Sequence, residues 1–167
     1  DRYIFLAAQK DSTVEEPEED QIYTVGTVAM VIRMLKLPDG RVKILVQGVA
    51  KARIKHLYKD ERGFYTADIE KIEEPEIKEV TVEVEAMMRS VKEQSERILQ
   101  LRGIVSPDAL SILEAIDDPG RLADLVASNL RLKVEESQHV LEIIDPIERL
   151  KHVNGLLSQE MELSEVQ

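Results

Sequence analysis

A chain of 167 residues, 43% hydrophobic, 33% charged and 4% aromatic, is long enough for one large domain or two small ones. Its apolar share supports a packed core and argues against wholesale disorder. The net charge of −11 disfavours a chain that binds polyanions over its whole surface, and the absence of cysteine excludes disulfides, thiolate metal sites and cysteine nucleophiles.

Tyr3-Ile4-Phe5-Leu6-Ala7-Ala8 is a continuous apolar run and predicts a strand buried on both faces. Asp11 to Asp20 is an acidic, solvated loop around Pro17, without the alternating carboxylates and glycine of a calcium loop. Tyr23 to Leu35 is rich in β-branched residues and predicts a second strand, closed by the turn residues Pro38-Asp39-Gly40. Val42, Ile44 and Val46 alternate with Lys43 and Gln47, the pattern of a half-buried strand. Gly48 marks a bulge or a bend, and Ala52 to Leu57 reads as another strand. Asp60-Glu61-Arg62-Gly63 is another turn, and Phe64 to Ile72 alternates again. Several short strands joined by tight turns predict a small antiparallel sheet or barrel.

Near Pro75 the pattern changes. Residues 1–75 carry 12 basic and 14 acidic side chains, residues 76–167 carry 10 and 19. Val84, Met87, Met88, Val91, Ser95, Ile98 and Leu99 recur at helical spacing, with Gly103 where a C-terminal cap belongs. Ser106-Pro107, Asp118-Pro119 and Asp145-Pro146 each set a capping side chain before a proline at the first helical position. Leu110, Leu113, Leu122, Leu125, Val126, Leu130, Val140, Leu141, Ile143 and Ile144 are the expected shared core. The last helix, residues 146–167, repeats Ile147, Leu150, Val153, Asn154, Leu157 and Met161 near a heptad spacing, so it serves either a bundle or pairing with a second copy. The fold class is α+β: a β-rich part over residues 1–75, then a helical bundle over 76–167.

Catalytic signatures are missing. There is no GxxxxGK[ST] or GxGxxG phosphate loop and no GxSxG elbow. His56, His139 and His152 do not pair at ligand spacing, and His139 and His152 fall on different helices. Residues 33–62 hold nine basic side chains against three acidic ones, a strip able to contact phosphates, yet stacking aromatics are scarce. The sequence favours a binding or assembly role, with no catalytic, cofactor or metal residues.

Particular residues carry a family resemblance. Tyr3-Ile4-Phe5-Leu6-Ala7-Ala8-Gln9-Lys10, Val25-Gly26-Thr27-Val28-Ala29, Leu35-Lys36-Leu37-Pro38-Asp39-Gly40 and Val42 to Gly48 resemble the amino-terminal domain of bacterial-type Lon proteases in order and spacing. Ile116-Asp117-Asp118-Pro119-Gly120-Arg121-Leu122-Ala123-Asp124 is similar to that family's helix start, and Val140-Leu141-Glu142 and Glu148-Arg149-Leu150 fit as well. The resemblance implies a β-rich PUA-like lobe, a helical bundle, and a terminal helix leading toward an ATPase module. It implies a cytoplasmic, ATP-dependent hexameric serine protease whose ATP and Mg sites and Ser-Lys dyad lie outside this chain. The family's first strand and the helix after it lack a counterpart, so the chain reads as a fragment. Implied partners are unfolded or degron-bearing proteins and other Lon subunits, with no membrane; the alternative is a PUA-like RNA-binding module. Capture of unfolded clients calls for apolar, adaptable side chains, and Met30, Met34, Leu35 and Leu37 around the hairpin, with Met87 and Met88 on the first helix, are the candidates.

Overall fold

Pro38-Asp39-Gly40 and Glu61-Arg62-Gly63 each close a three-residue hairpin loop in the computed structural model, which describes residues 2–103 and 107–166. In the first, Leu37 N–H donates to Arg41 O at 2.8 Å and Gly40 N–H to Leu37 O at 3.1 Å. In the second, Asp60 N–H donates to Phe64 O at 2.8 Å and Gly63 N–H to Asp60 O at 2.9 Å. Both glycines have positive φ, +88° and +94°, the left-handed step that lets such loops rejoin the ladder. These loops connect three of four strands in an antiparallel meander: β1 (Tyr3–Leu6), β2 (Val25–Lys36), β3 (Val42–Lys59) and β4 (Tyr65–Lys71), in sheet order β1-β2-β3-β4.

Two expectations are corrected here. The run from Tyr3 is not buried on both faces. β1 is a four-residue edge strand with Tyr3 61% exposed, because it has only β2 beside it. Nor do Val42 to Val46 and Ala52 to Leu57 form two strands, although the bulge expected at Gly48 is there. β3 runs through it for 18 residues, and the chain absorbs the irregularity as a bulge. Val28 faces Ala50 while Ala29 faces Gly48, leaving Val49 as the extra residue. A second bulge leaves Ile32 extra on β2, and a third leaves Lys55 extra on β3.

The sheet's fully buried apolar side chains are few: Val25, Ala29 and Ala52. At Gly26 a β-carbon would stand 2.3 Å from Leu6 O and 2.7 Å from the Phe5 ring, so glycine lets β1 lie close. The acidic loop is exposed but anchored. Gln9 Nε2 donates to Val14 O at 2.8 Å, Tyr65 Oη to Pro17 O at 2.7 Å, and Lys10 N–H to Gln21 O at 2.8 Å.

Two compact units divide the chain, Asp1–Glu73 and Glu74–Gln167. The second holds α1 (Val82–Leu101), α2 (Pro107–Ala115), α3 (Pro119–Asn129), α4 (Val134–Glu142) and α5 (Pro146–Val166). The proline caps form as expected at two starts. Asp118 Oδ1 accepts from Gly120 N–H at 3.1 Å, and Asp145 Oδ1 from Ile147 N–H at 2.9 Å. The Ser106 cap lies outside the described residues. Gly103 ends α1 at φ +73°. Thr81 caps the start of α1 by accepting from Val84 N–H at 3.2 Å, whereas α4 begins at Lys133 with no side-chain cap.

Val84, Met88, Val91 and Ile98 of α1 meet Leu113, Leu122, Ala123, Val126 and Val140, and Leu150, Val153 and Leu157 of α5 close the core. Each fully buried leucine there contributes about 1.5–3 kcal/mol of apolar transfer. Leu110, Leu125, Leu130, Leu141, Ile143 and Ile144, also expected in the core, are half-buried around it. The apolar seam of α5 is thus spent inside its own unit, so Leu150, Val153 and Leu157 are not a surface for pairing with a second copy.

Arg149, only 1% exposed, ties this unit together. Its Nη1 donates to Glu74 Oε1 and to Ile143 O, both at 2.9 Å, while Nε lies 2.9 Å from Asp124 Oδ1 as an ion pair. A buried guanidinium needs carboxylates and carbonyls around it, and α3, the α4–α5 connection and the entry to the unit supply them.

Candidate protein-docking surface

β2 and β3 are far longer than the strands beside them. β1 covers only Thr27 to Met30 of β2, and β4 covers only Ala52 to Lys59 of β3. From Ile32 to Leu45 the two strands therefore project as a two-stranded arm with the Pro38-Asp39-Gly40 loop at its tip. Paired residues share a face. Met34 pairs with Ile44 and Lys36 with Val42 on one side; Arg33 pairs with Leu45 and Leu35 with Lys43 on the other. The first face is apolar with one cation at the tip, the second alternates apolar and cationic side chains.

All five of these apolar side chains are exposed, with Met34 at 60% and Leu45 at 59%. Ile32 and Val49, pushed out at the bulges, are exposed too. Exposed apolar side chains are ordinary one at a time; grouped on one projecting element they mark an interaction surface. Reading Val42 and Ile44 as the buried face of a half-buried strand is corrected by this. Period two identifies a shared face and does not say whether anything covers it.

Arg41 Nε pairs with Asp39 Oδ2 at 2.5 Å across the tip. Among the described residues no ion pair engages Arg33, Lys36 or Lys43. The arm thus carries four cationic side chains and one carboxylate in a chain of net charge −11.

The candidate residues divide between the units. Met34 and Leu35 are exposed on the arm, Leu37 is half-buried before its tip, and Met30 is half-buried at its base opposite Gln47. Met87 packs half-buried against the helical core. Met88 is 6% exposed inside that core, where its side chain fills space and presents no surface.

The histidines hold a surprise of position. The rings of His139 on α4 and His152 on α5 meet edge to face with centroids 4.7 Å apart, and His152 Nε2 lies 2.5 Å from Glu136 Oε1. A spacing of thirteen residues hid this contact. Among the described residues no group of three or more His, Cys, Asp or Glu side chains is placed to hold a metal ion. The helical unit also has a half-open apolar pocket of about 310 Å³ lined by Ile98, Leu99, Ile112, Leu125, Leu130 and Leu157, among others. Among the described residues, no helix is long and apolar enough to cross a membrane.

Residues 1–159 match the family described as the ATP-dependent protease La (LON) substrate-binding domain. The chain is 54% identical over its whole length to a Lon protease of Desulfatibacillum aliphaticivorans, and 55% identical over 99% of its length to Lon protease 2 of Bdellovibrio bacteriovorus. It spans 20% and 21% of those two proteins. Among solved structures, the N-terminal domain of a Mycobacterium avium complex Lon protease has the same fold, with TM-score 0.69 at 19% identity over 93% of this chain and 90% of that one. A Lon N-terminal domain protein from Xanthomonas campestris gives 0.59 at 15% identity over 90% and 87%.

Proposed function

Since the chain belongs to the Lon substrate-binding domain family, we propose that it captures unfolded or degron-bearing proteins for a Lon-type ATP-dependent protease, using the β2–β3 arm. The domain is a binding part, not the catalytic part. The exposure of Met34, Leu35, Val42, Ile44 and Leu45 on one projecting hairpin carries the reading. An unfolded client differs from a folded one mainly in the apolar side chains it shows, and burial of those side chains against the arm separates the two. Methionine suits varied partners because its thioether chain repacks.

The parent protein, in this reading, is a cytoplasmic homo-hexamer. Its ATP and Mg sites and Ser-Lys dyad stand beyond the residues described here, and α5 leads toward them. The domain then serves quality control by holding a client near the machinery that unfolds and cuts it.

Titration of the labelled chain with a reduced, unfolded protein, with its folded form and with RNA, at low and high salt, tests the proposal. Binding of the unfolded form alone, changing little with salt, is expected, together with its loss in a Met34→Asp/Leu45→Asp variant. Equal binding of folded and unfolded forms, or RNA binding that falls steeply with salt, overturns it.

A further inference from the structure

The two faces of the arm differ in what they can read. They follow from the β2–β3 register alone and keep their side chains whether or not another strand lies beside β2. On one face Arg33 pairs with Leu45 and Leu35 with Lys43. Leu35 and Leu45 therefore lie on one diagonal of a four-residue square and Arg33 and Lys43 on the other, the two members of each diagonal about 7–8 Å apart. All four are exposed. A side chain that seats on the two leucines is within reach of both cations, whose aliphatic stems widen the apolar floor while their charged heads stay in water. Met34, Ile44 and Val42 group on the other face, with Lys36 the single cation at its far end.

Charge fixes what the square prefers. Asp39, the arm's single carboxylate, is held by Arg41, and among the described residues no ion pair engages Arg33 or Lys43. Two such arms repel each other, so a second copy is disfavoured. Resting on the reading of the arm as a client surface, we propose that Arg33 and Lys43 set its substrate preference: the arm favours apolar client segments that carry Asp or Glu within a few residues and disfavours those flanked by Lys or Arg. A carboxylate beside the seated side chain meets a cation with no ion pair of its own, Arg33 through two parallel donors and Lys43 as a point charge. A client cation in the same place meets repulsion. The Met34 face holds apolar side chains with little regard to their neighbours. An unfolded protein shows segments of both signs, so its overall titration moves little with salt while individual segments differ.

The test uses the whole chain and labelled peptides of about fifteen residues, built on a central Phe-Thr-Phe in a Ser and Thr background and read by fluorescence anisotropy. One peptide has Asp two residues beyond each Phe, one has Lys there, one has neither, and one has the same two Asp residues moved to its ends. At about 0.1 M salt the Asp-flanked peptide is expected to bind about fivefold more tightly than the Lys-flanked one, at the modest strength of exposed charge pairs, with the gap closing toward about 1 M. The peptide with Asp at its ends should bind like the neutral one, because its carboxylates lie about 20 Å from the Phe side chains, roughly two screening lengths. Arg33→Glu/Lys43→Glu should invert the order of the flanked peptides, and Arg33→Gln/Lys43→Gln should erase it. Lys78→Glu/Arg131→Glu, the same change in net charge as the first pair but at exposed positions of the helical unit, should leave the order as it is. Circular dichroism checks that each variant folds, and the Gln pair carries the test if the Glu pair does not. Equal binding of the Asp- and Lys-flanked peptides, an equal gain from Asp at the ends, or inversion by the helical-unit variant overturns the preference. If the neutral peptide and the unfolded protein bind in that case, capture by apolar burial stands; if neither binds, the reading of the arm falls with it.

Discussion

Arg149 and Gly120 are matched by exclusion: the guanidinium Nη2 lies 2.8 Å from where a β-carbon on Gly120 would stand. Helix α3 accepts a poor helix former in its first turn because the guanidinium occupies that space. Gly120→Ala should destabilise the helical unit by about 1–3 kcal/mol through overpacking, although alanine is the better helix residue by about 1 kcal/mol. Arg149→Ala should cost about 2–4 kcal/mol. It leaves the Ile143 carbonyl without its donor, while Glu74 and Asp124, partly exposed, can turn to water. Urea unfolding followed by the helix signal reads both, and Arg149→Lys should recover only part of the loss because it lacks the fork.

Met34 and Met88 should respond oppositely to truncation. Met34→Ala on the arm is expected to leave the unfolding midpoint nearly unchanged and to weaken binding of an unfolded client. Met88→Ala opens a space among Val84, Val91 and their neighbours in the core and should cost about 2–5 kcal/mol. Thermal melts paired with client titrations separate the two. A large stability loss at Met34 would remove it from the docking surface.

Tyr58 Oη donates to Asp68 Oδ2 at 2.8 Å across β3 and β4. That hydrogen bond, with lesser contributions from burial and the carboxylate's charge, raises the phenol above its ordinary value. The raised value favours the neutral phenol in the folded chain. Its contribution to stability is present below the ordinary tyrosine range and is lost as pH climbs through the raised one. Asp68→Ala should bring the Tyr58 titration down, followed by the NMR shift of the ring carbon bearing the hydroxyl.

Gly40 and Gly63 have open space around them and positive φ, so substitution there meets backbone strain and no collision. Gly63→Ala should cost about 1 kcal/mol, Gly63→Asn less, and Gly63→Val more, in the order in which side chains tolerate the left-handed region. Urea midpoints of the three variants provide the ranking.

Local chemistry was readable from the sequence, and coverage was not. Asp118-Pro119 and Asp145-Pro146 announce helix starts because a cap needs only its own neighbours. The two Gly-ended loops are legible for the same reason. Gly48 signals a bulge or a bend, and only the partner strand decides between them; here it is a bulge inside one strand. Val42 and Ile44 alternate like core residues, and only the shortness of β1 and β4 reveals that they project into solvent. That comparison of strand lengths was the signal for the docking arm. The burial of Arg149 depends on Glu74, 75 positions away, and no local pattern announces it. The meeting of His139 and His152 depends likewise on how α4 folds back on α5.

The extra residue at Ile32 has a consequence for how such a domain diversifies. Because paired residues share a face and β3 runs unbroken from Val42 to Val46, removal of that one position would leave Arg33 opposite Leu45 and Met34 opposite Ile44. What would change is the local bend and twist that a bulge adds at the root of the arm. A one-codon deletion there thus offers lineages a way to re-aim the arm in a single step, with both of its faces and the foundation below, Val25, Ala29 and Ala52, kept as they are.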